Sequence, residues 1–175
     1  MSILITLLLV LAGIVALLLI MALFSRKEYH IHREIIISVP RQKVFDYLKQ
    51  LKNQDNFNKW VMVDPEMKKE FKGTDGTVGF IYGWNGTKAG AGEQEITGID
   101  EGKGIETEIR FVRPFVSVAH ANMHTASVSD NQTKVTWSNA SAMKYPMNIM
   151  LSMIEKMLAK DMDTSLLTLK TILEK

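Results

Sequence analysis

The chain has 175 residues, with 21 Lys and Arg against 19 Asp and Glu, and it has no Cys. This length predicts one domain with an appendage. The two signs of charge are mixed along the chain, which excludes a basic nucleic-acid-binding stripe and an acidic tail. The lack of Cys excludes a lipoprotein anchor but does not distinguish an oxidising from a reducing compartment.

The first segment, from Ile3 to Phe24, is uncharged and has Thr6 as its only polar side chain. As a helix it would be roughly 33 Å long, enough for a bilayer core of about 30 Å. A cleaved signal peptide would need a basic start, a shorter apolar run and a small-x-small cleavage site. Arg26 and Lys27 come directly after the segment, and the positive-inside rule places that side of the helix in the cytoplasm. We therefore expect a single-pass transmembrane anchor over residues 1–25 and a cytoplasmic domain over residues 26–175.

The domain is predicted to begin with a strand and a pair of short helices. Residues 28–40 alternate and are rich in β-branched side chains, which is typical of a strand. Pro40 suits the first position of a helix, and apolar residues then recur at helical spacing as far as Leu51. A second short helix or turn is expected to end at Trp60.

The rest of the domain is predicted to be a meander followed by one long helix. Short alternating segments separated by turn sequences such as TDG, NGTKAG and DEGKG predict about six antiparallel strands between residues 66 and 143. Apolar residues then keep helical spacing from Met147 to Leu173, which predicts an amphipathic helix of about 28 residues. The apolar face of this helix must pack on the sheet, and a cavity can remain between them.

The glycine-rich stretch from Tyr82 to Gly98 is not predicted to bind a phosphate. It lacks the Gly-Lys-Ser/Thr of a Walker loop, and a strand pattern rather than a helix comes after it. The same context argues against a dinucleotide fingerprint. We expect the sequence NGTKAG to connect a β-hairpin, with glycines supplying positive φ.

This order of elements resembles the helix-grip fold of the START/Bet v 1-like (SRPBCC) superfamily, specifically its polyketide cyclase/dehydrase-like branch. Residues 32–60 resemble its first strand, helix pair and closing Trp; residues 76–86 and 91–111 resemble its central hairpins; and residues 133–141 resemble its last strand. The resemblance covers about residues 29–175. It implies an α+β fold in which a curved antiparallel sheet of about seven strands wraps around a long C-terminal helix. It implies no shared catalytic set, so we predict no catalytic residues.

Charged residues of the central strands are expected on the outer face of the sheet. Alternation places them opposite the apolar residues, so they form cross-strand surface charge rather than a buried acid and base. They are Glu93, Glu95, Glu106, Glu108 and Arg110.

The four histidines form two pairs at strand spacing, His30 with His32 and His120 with His124. A metal site would need a third or fourth ligand with partner spacing, so we predict no metal and no cofactor. His124 shares a face with Val118 and Val128. It is therefore either a polar ligand contact inside the cavity or a satisfied core or surface histidine.

The most suggestive feature is apolar. Six of the eleven methionines lie between Met143 and Met162, and methionine suits surfaces that accept varied apolar ligands, although a Met-rich core would look the same. Sheet aromatics would form the opposite wall of such a cavity. The predicted lining residues are Phe80, Tyr82, Trp84, Phe111, His124, Trp137, Met147, Met150, Ile154 and Met157.

Three functions remain open from the sequence. The first is a membrane-anchored domain that binds a hydrophobic or lipid-like small molecule without catalysis. The second is an enzyme of the cyclase or dehydrase type, which would need a polar pair in the cavity such as His124 with Asn139 or Tyr82. The third is a protein-interaction or stress-response module, which an apolar patch outside the cavity would favour.

Overall fold

The computed structural model describes residues 3–175, so Met1 and Ser2 of the predicted anchor lie outside the described range. The helices are α1 (Ile3–Phe24), α2 (Arg41–Lys49), α3 (Gln54–Phe57), α4 (Lys59–Met62) and α5 (Leu151–Leu173), with 3₁₀ turns at Leu51–Asn53 and Met147–Met150. The strands are β1 (Glu28–Ile37), β2 (Lys68–Lys72), β3 (Ile81–Asn85), β4 (Ala91–Asp100), β5 (Gly104–Arg113), β6 (Ser117–Ser129) and β7 (Gln132–Ala142).

All seven strands form one antiparallel sheet in the order β1-β7-β6-β5-β4-β3-β2. Strands β2 to β7 are a meander, and β1 joins its far edge by pairing with β7. This arrangement confirms the predicted α+β helix-grip fold. The predicted terminal helix is shorter than expected, because its first turn is the 3₁₀ turn and the α-helix proper has 23 residues.

The core lies between the sheet's inner face and the helices. Alternate residues of each strand point inwards, as the two-residue period requires. The fully buried residues come from β1, β4, β7, α2, the turn after it, α3 and α5, and their burial supplies most of the stabilisation at about 25 cal/mol per Å². They include Ile37, Ile96, Val135, Val44, Phe45, Leu51, Phe57, Met162, Leu166 and Leu169.

The two halves of α5 differ in how they pack. The C-terminal half buries a continuous stripe that ends at Leu173, whereas the N-terminal half buries only Leu151. Polar contacts hold the middle of the helix on both sides. Arg33 of β1 donates two hydrogen bonds of 2.6 Å to the Asp163 carboxylate, and the Ser165 hydroxyl accepts one of 3.0 Å from the backbone N–H of Lys59.

Helix α1 projects away from the domain, with only Ala22 buried. It is long and apolar enough to cross a membrane. Its C-terminal end is attached to the domain by Asn148, whose side-chain amide donates to the carbonyl oxygens of Ala22 at 2.7 Å and Ser25 at 3.1 Å. The backbone N–H of Met143 also donates to the Lys27 carbonyl at 2.7 Å, so the short linker between α1 and β1 is tied down.

The glycine-rich stretch forms a hairpin connection, as predicted. Asn85 pairs with Ala91, and the N–H of Gly86 donates to the Gly90 carbonyl at 2.7 Å. Gly90 has a φ of +70°, which a residue with a side chain rarely adopts.

Candidate ligand-binding site

The aromatic residues predicted to line a cavity all lie on the inner face of the sheet. Phe80, Tyr82 and Trp137 are buried there. Trp84 and Phe111 are half-buried and pack edge to face, with their ring centroids 5.8 Å apart. The structure therefore places these five residues on the predicted side of the sheet, while their binding of a ligand stays a prediction.

His124 lies on the opposite face, so its predicted place in the cavity is wrong. Along β6 the buried residues are Ala119, Ala121, Met123 and Thr125, and His124 is exposed between the last two. His120 and Asn122 are exposed for the same reason. The valines that suggested an inward face, Val118 and Val128, are themselves exposed on this strand.

The polar pairs considered for an enzyme do not form. His124 is on the outside, whereas Asn139 and Tyr82 face the interior. Asn139 accepts a hydrogen bond of 2.9 Å from the Tyr29 hydroxyl. Tyr82 donates one of 2.5 Å to Asp55, and Lys69 donates to the same carboxylate at 2.8 Å. Burial, together with this bond to Asp55, raises the pKa of Tyr82 far above its ordinary value, so the phenol stays protonated.

The charged residues of the central strands form the expected cluster outside the core. Arg110 donates to Glu93 at 2.8 Å, to Glu95 at 2.7 Å and to Glu108 at 2.7 Å. These carboxylates, Glu108 most strongly, raise the pKa of Arg110. Within residues 3–175, no group of three or more His, Asp or Glu side chains could hold a metal ion.

The space enclosed between the sheet and the helices is only about 10 Å³. That is room for about one water molecule, so this interior space is too small for the apolar ligand that the sequence suggested. The large side chains of the second half of α5 and of Trp137 fill the volume instead. The small cavity is lined by Gln54, Gln94, Ile105, Thr107, Ala121, Met123 and Trp137. A larger hollow of about 470 Å³ lies against the other face of the sheet, where its lining includes Glu106, Asn122 and His124.

Sequence reasoning missed the polar part of this interior. Gln94 donates to the Thr107 hydroxyl at 2.9 Å, and Thr107 in turn donates to the Ala121 carbonyl at 2.8 Å. A signal was present, because Gln94 alternates with Glu93 and Glu95. Once those glutamates are assigned to the outer face, Gln94 must point inwards.

One flank of the first half of α5, together with the 3₁₀ turn before it, carries the predicted helix residues. Met150, Ile154, Met157 and Asp161 succeed each other at three- or four-residue spacing and therefore form one row. Asp161 accepts hydrogen bonds from Lys59 and from the Trp60 indole N–H at 3.1 Å, so the row lies on the side of α5 that faces α4. The opposite side is the one that Asp163 attaches to β1.

This flank of α5 lies at the same end of the fold as the inner-face residues near the start of β4 and the ends of β3 and β5. Ile154 and Met147 are half-buried, and Met150 and Met157 are exposed. On the sheet, Trp84, Ile109 and Phe111 are also only half-buried. We call this apolar region the open end. It consists of Trp84, Ile109, Phe111, Met147, Met150, Ile154 and Met157.

Comparisons with known proteins show the fold. No family model matches the chain, and no curated protein matches it. Norcoclaurine synthase from Thalictrum flavum, solved in complex with dopamine and hydroxybenzaldehyde, is 15% identical, with a TM-score of 0.63 over 89% of this chain and 92% of that one. The Zhui aromatase/cyclase from a Streptomyces species is 12% identical, with a TM-score of 0.65 over 84% and 94%. Ara h 8.0201 is 16% identical, with a TM-score of 0.54 over 81% and 98%.

These neighbours share the sheet wrapped around a long C-terminal helix, and the present chain adds an N-terminal apolar helix to it. The chain therefore has the helix-grip fold that these solved structures share.

Proposed function

We propose that this chain is a membrane-anchored helix-grip domain that binds a hydrophobic or lipid-like small molecule between the sheet and the first half of α5. The observation that carries the proposal is the open end. There, apolar side chains of the sheet and of α5 lie at the same end of the fold without burying one another. Unpaired apolar surface of this kind is typical of a small-molecule site.

Binding proceeds by apolar burial, at about 25 cal/mol per Å² of surface removed from water. Because the interior has space for only about one water, the ligand enters by displacing the first half of α5. That half is suited to move, since it buries little, and methionine side chains adapt to varied shapes. The C-terminal half of α5 stays packed and keeps the domain folded.

Helix α1 supplies the anchor, over residues 1–25, and residues 26–175 form the cytoplasmic domain. Two observations support the membrane anchor: the helix is long and uncharged, and its side chains do not pack against the domain. The cytoplasmic location of the domain is supported by Arg26 and Lys27, which come immediately after the helix. Anchoring raises the concentration of a membrane-derived ligand beside the open end.

The similarity to norcoclaurine synthase and to an aromatase/cyclase keeps a cyclase or dehydrase reaction as the second candidate. A reaction would need titratable groups that reach the ligand. The interior pairs suggested by the sequence do not form, and Tyr82 and Asp55 are bound to one another. Binding without catalysis therefore accounts for more of the structure.

Native mass spectrometry of the full chain with its co-purified lipids tests the proposal. We expect one apolar molecule per chain in the wild type, retained in Leu167→Lys and lost in Met157→Lys. Both substitutions put a lysine at an exposed apolar position of α5, since Met157 is 54% and Leu167 60% exposed, but only Met157 belongs to the open end. Lipids held by α1 appear equally in all three samples and are subtracted. Equal occupancy in Met157→Lys and Leu167→Lys would contradict the proposed site.

A further inference from the structure

The end of the sheet from which α1 departs also carries the loop between β5 and β6. The register fixes this. Glu28, the first residue of β1, pairs with Ala142 at the end of β7, while Ala119 near the start of β6 pairs with Ser141. The residues that connect β5 to β6 are therefore at the same end as the linker from α1.

That loop exposes an unusual amount of apolar surface. Phe115 is 63% and Val116 82% exposed, and neighbouring Val112 is also exposed. We call these three residues the apolar tip. Further exposed apolar residues lie at the same end, namely Met62 and Val63 at the end of α4 and Tyr145 before α5. The open end of the grip is at this end too, whereas the charged cluster around Arg110 covers the outer face of the sheet.

Four exposed cations lie at this end of the sheet. They are Lys27 before β1, Lys88 between β3 and β4, Arg113 at the end of β5 and Lys144 after β7. None of them forms an ion pair within residues 3–175, although Arg113 donates hydrogen bonds to the Asn85 side chain and the Gly86 carbonyl. Unpaired cations around exposed aromatic and aliphatic side chains complement a surface of anionic lipid headgroups over acyl chains.

The connection to α1 determines the distance between the tip and the membrane. Only three residues, 25 to 27, separate α1 from β1, and they span at most about 10 Å. The linker is also held by Asn148 and by Arg26, which donates to Glu155 at 2.9 Å. The domain therefore cannot turn freely about the end of α1, and this end of the sheet stays close to the point where α1 enters the bilayer.

We propose that the apolar tip inserts into the surface of the bilayer that α1 spans, with the four unpaired cations against its anionic headgroups. This second attachment holds the open end against lipid, so that an apolar ligand passes between membrane and domain without crossing water. The inference rests on the membrane anchoring given under Proposed function, but it does not depend on which ligand is bound.

The chain has no cysteine, so single labels can be introduced cleanly. Full-length chains with an environment-sensitive fluorophore at Val116→Cys are placed in nanodiscs made of equal parts phosphatidylcholine and phosphatidylglycerol, with and without nitroxide-labelled lipid. The matched control is Val128→Cys. It is also an exposed valine, at 52%, but it lies at the other end of β6, about 40 Å away. A third label at Leu11→Cys, in the middle of α1, reports on the anchor.

We expect blue-shifted emission and strong lipid quenching at positions 11 and 116, and neither at 128. If position 11 is quenched while 116 behaves like 128, the anchor is real and the docking is overturned. If position 11 is not quenched, the anchoring itself fails, and the docking fails with it. Blue-shifted emission at 116 that the lipid quencher does not reach would mean that protein, such as a second copy of this chain, covers the tip, and this would also overturn the proposal.

Discussion

Leu166→Ala and Met157→Ala should separate the stabilising half of α5 from its binding half. Leu166 is 1% exposed in the centre of the core, whereas Met157 is 54% exposed on the open flank. Truncating a fully buried leucine removes its burial and leaves a cavity, which costs about 3 kcal/mol of the free energy of unfolding, within a usual range of about 2–5 kcal/mol. Truncating the exposed methionine should cost less than about 0.5 kcal/mol.

Urea unfolding of the delipidated full chain in detergent measures both costs. Tryptophan fluorescence reports on the core, because Trp60 and Trp137 pack edge to face with ring centroids 5.7 Å apart. Met157→Ala should instead lower the amount of co-purified apolar ligand. The assignment of the two halves would be refuted if both substitutions destabilised the domain equally, or if Leu166→Ala cost less than about 1 kcal/mol.

Two further predictions concern titration. The Asp64 carboxylate accepts hydrogen bonds from the backbone N–H groups of Lys88, at 2.7 Å, and Ala89, and these bonds lower the pKa of Asp64. The stabilisation that the Asp64 carboxylate gives the fold is therefore complete above the unfolded-state pKa of about 4. It is lost as the pH falls through the lower pKa of the folded state. The thermal midpoint should therefore fall more steeply below about pH 4 in the wild type than in Asp64→Asn, and parallel curves would contradict this. Burial and Asp55 raise the pKa of Tyr82, so its phenol should not contribute to the absorbance change near pH 10, where an ordinary tyrosine titrates. Tyr82→Phe should leave that amplitude unchanged, and a smaller amplitude in the variant would show that Tyr82 ionises normally.

Periodicity predicted most of the fold because each element carries its own local signal. The alternation of Glu93, Glu95, Glu106 and Glu108 with apolar residues was enough to place them outside, and the structure confirms it. The glycine-rich stretch was correctly predicted as a hairpin because the residues after it alternate. Each of these signals comes from residues only a few positions apart in the chain, so it can be detected in a single sequence.

The inward and outward faces of β6 could not be predicted in the same way. Apolar and polar residues occur on both faces of this strand. Only the residues that pair with β6 across the sheet show which face His124 is on. Gly104 pairs with His124 and Ile105 with Met123, so the buried Ile105 fixes Met123 as the inward residue. Pairing between strands is a long-range contact that the local pattern of β6 does not specify.

The sequence by itself determined the apolar first helix and the order of the elements, because both depend on hydrophobic periodicity and on turn residues within short windows. The helix-grip fold was implied by the resemblance of that order to a known superfamily. Only the tertiary structure decided that the interior is filled to a water-sized space and that the open end, the apolar tip and the end of α1 lie together. The first feature depends on how side chains from different elements fill the space between the sheet and the helices. The second depends on which strand ends are neighbours in the sheet. Residues far apart in the chain determine both the packing and the neighbouring strand ends.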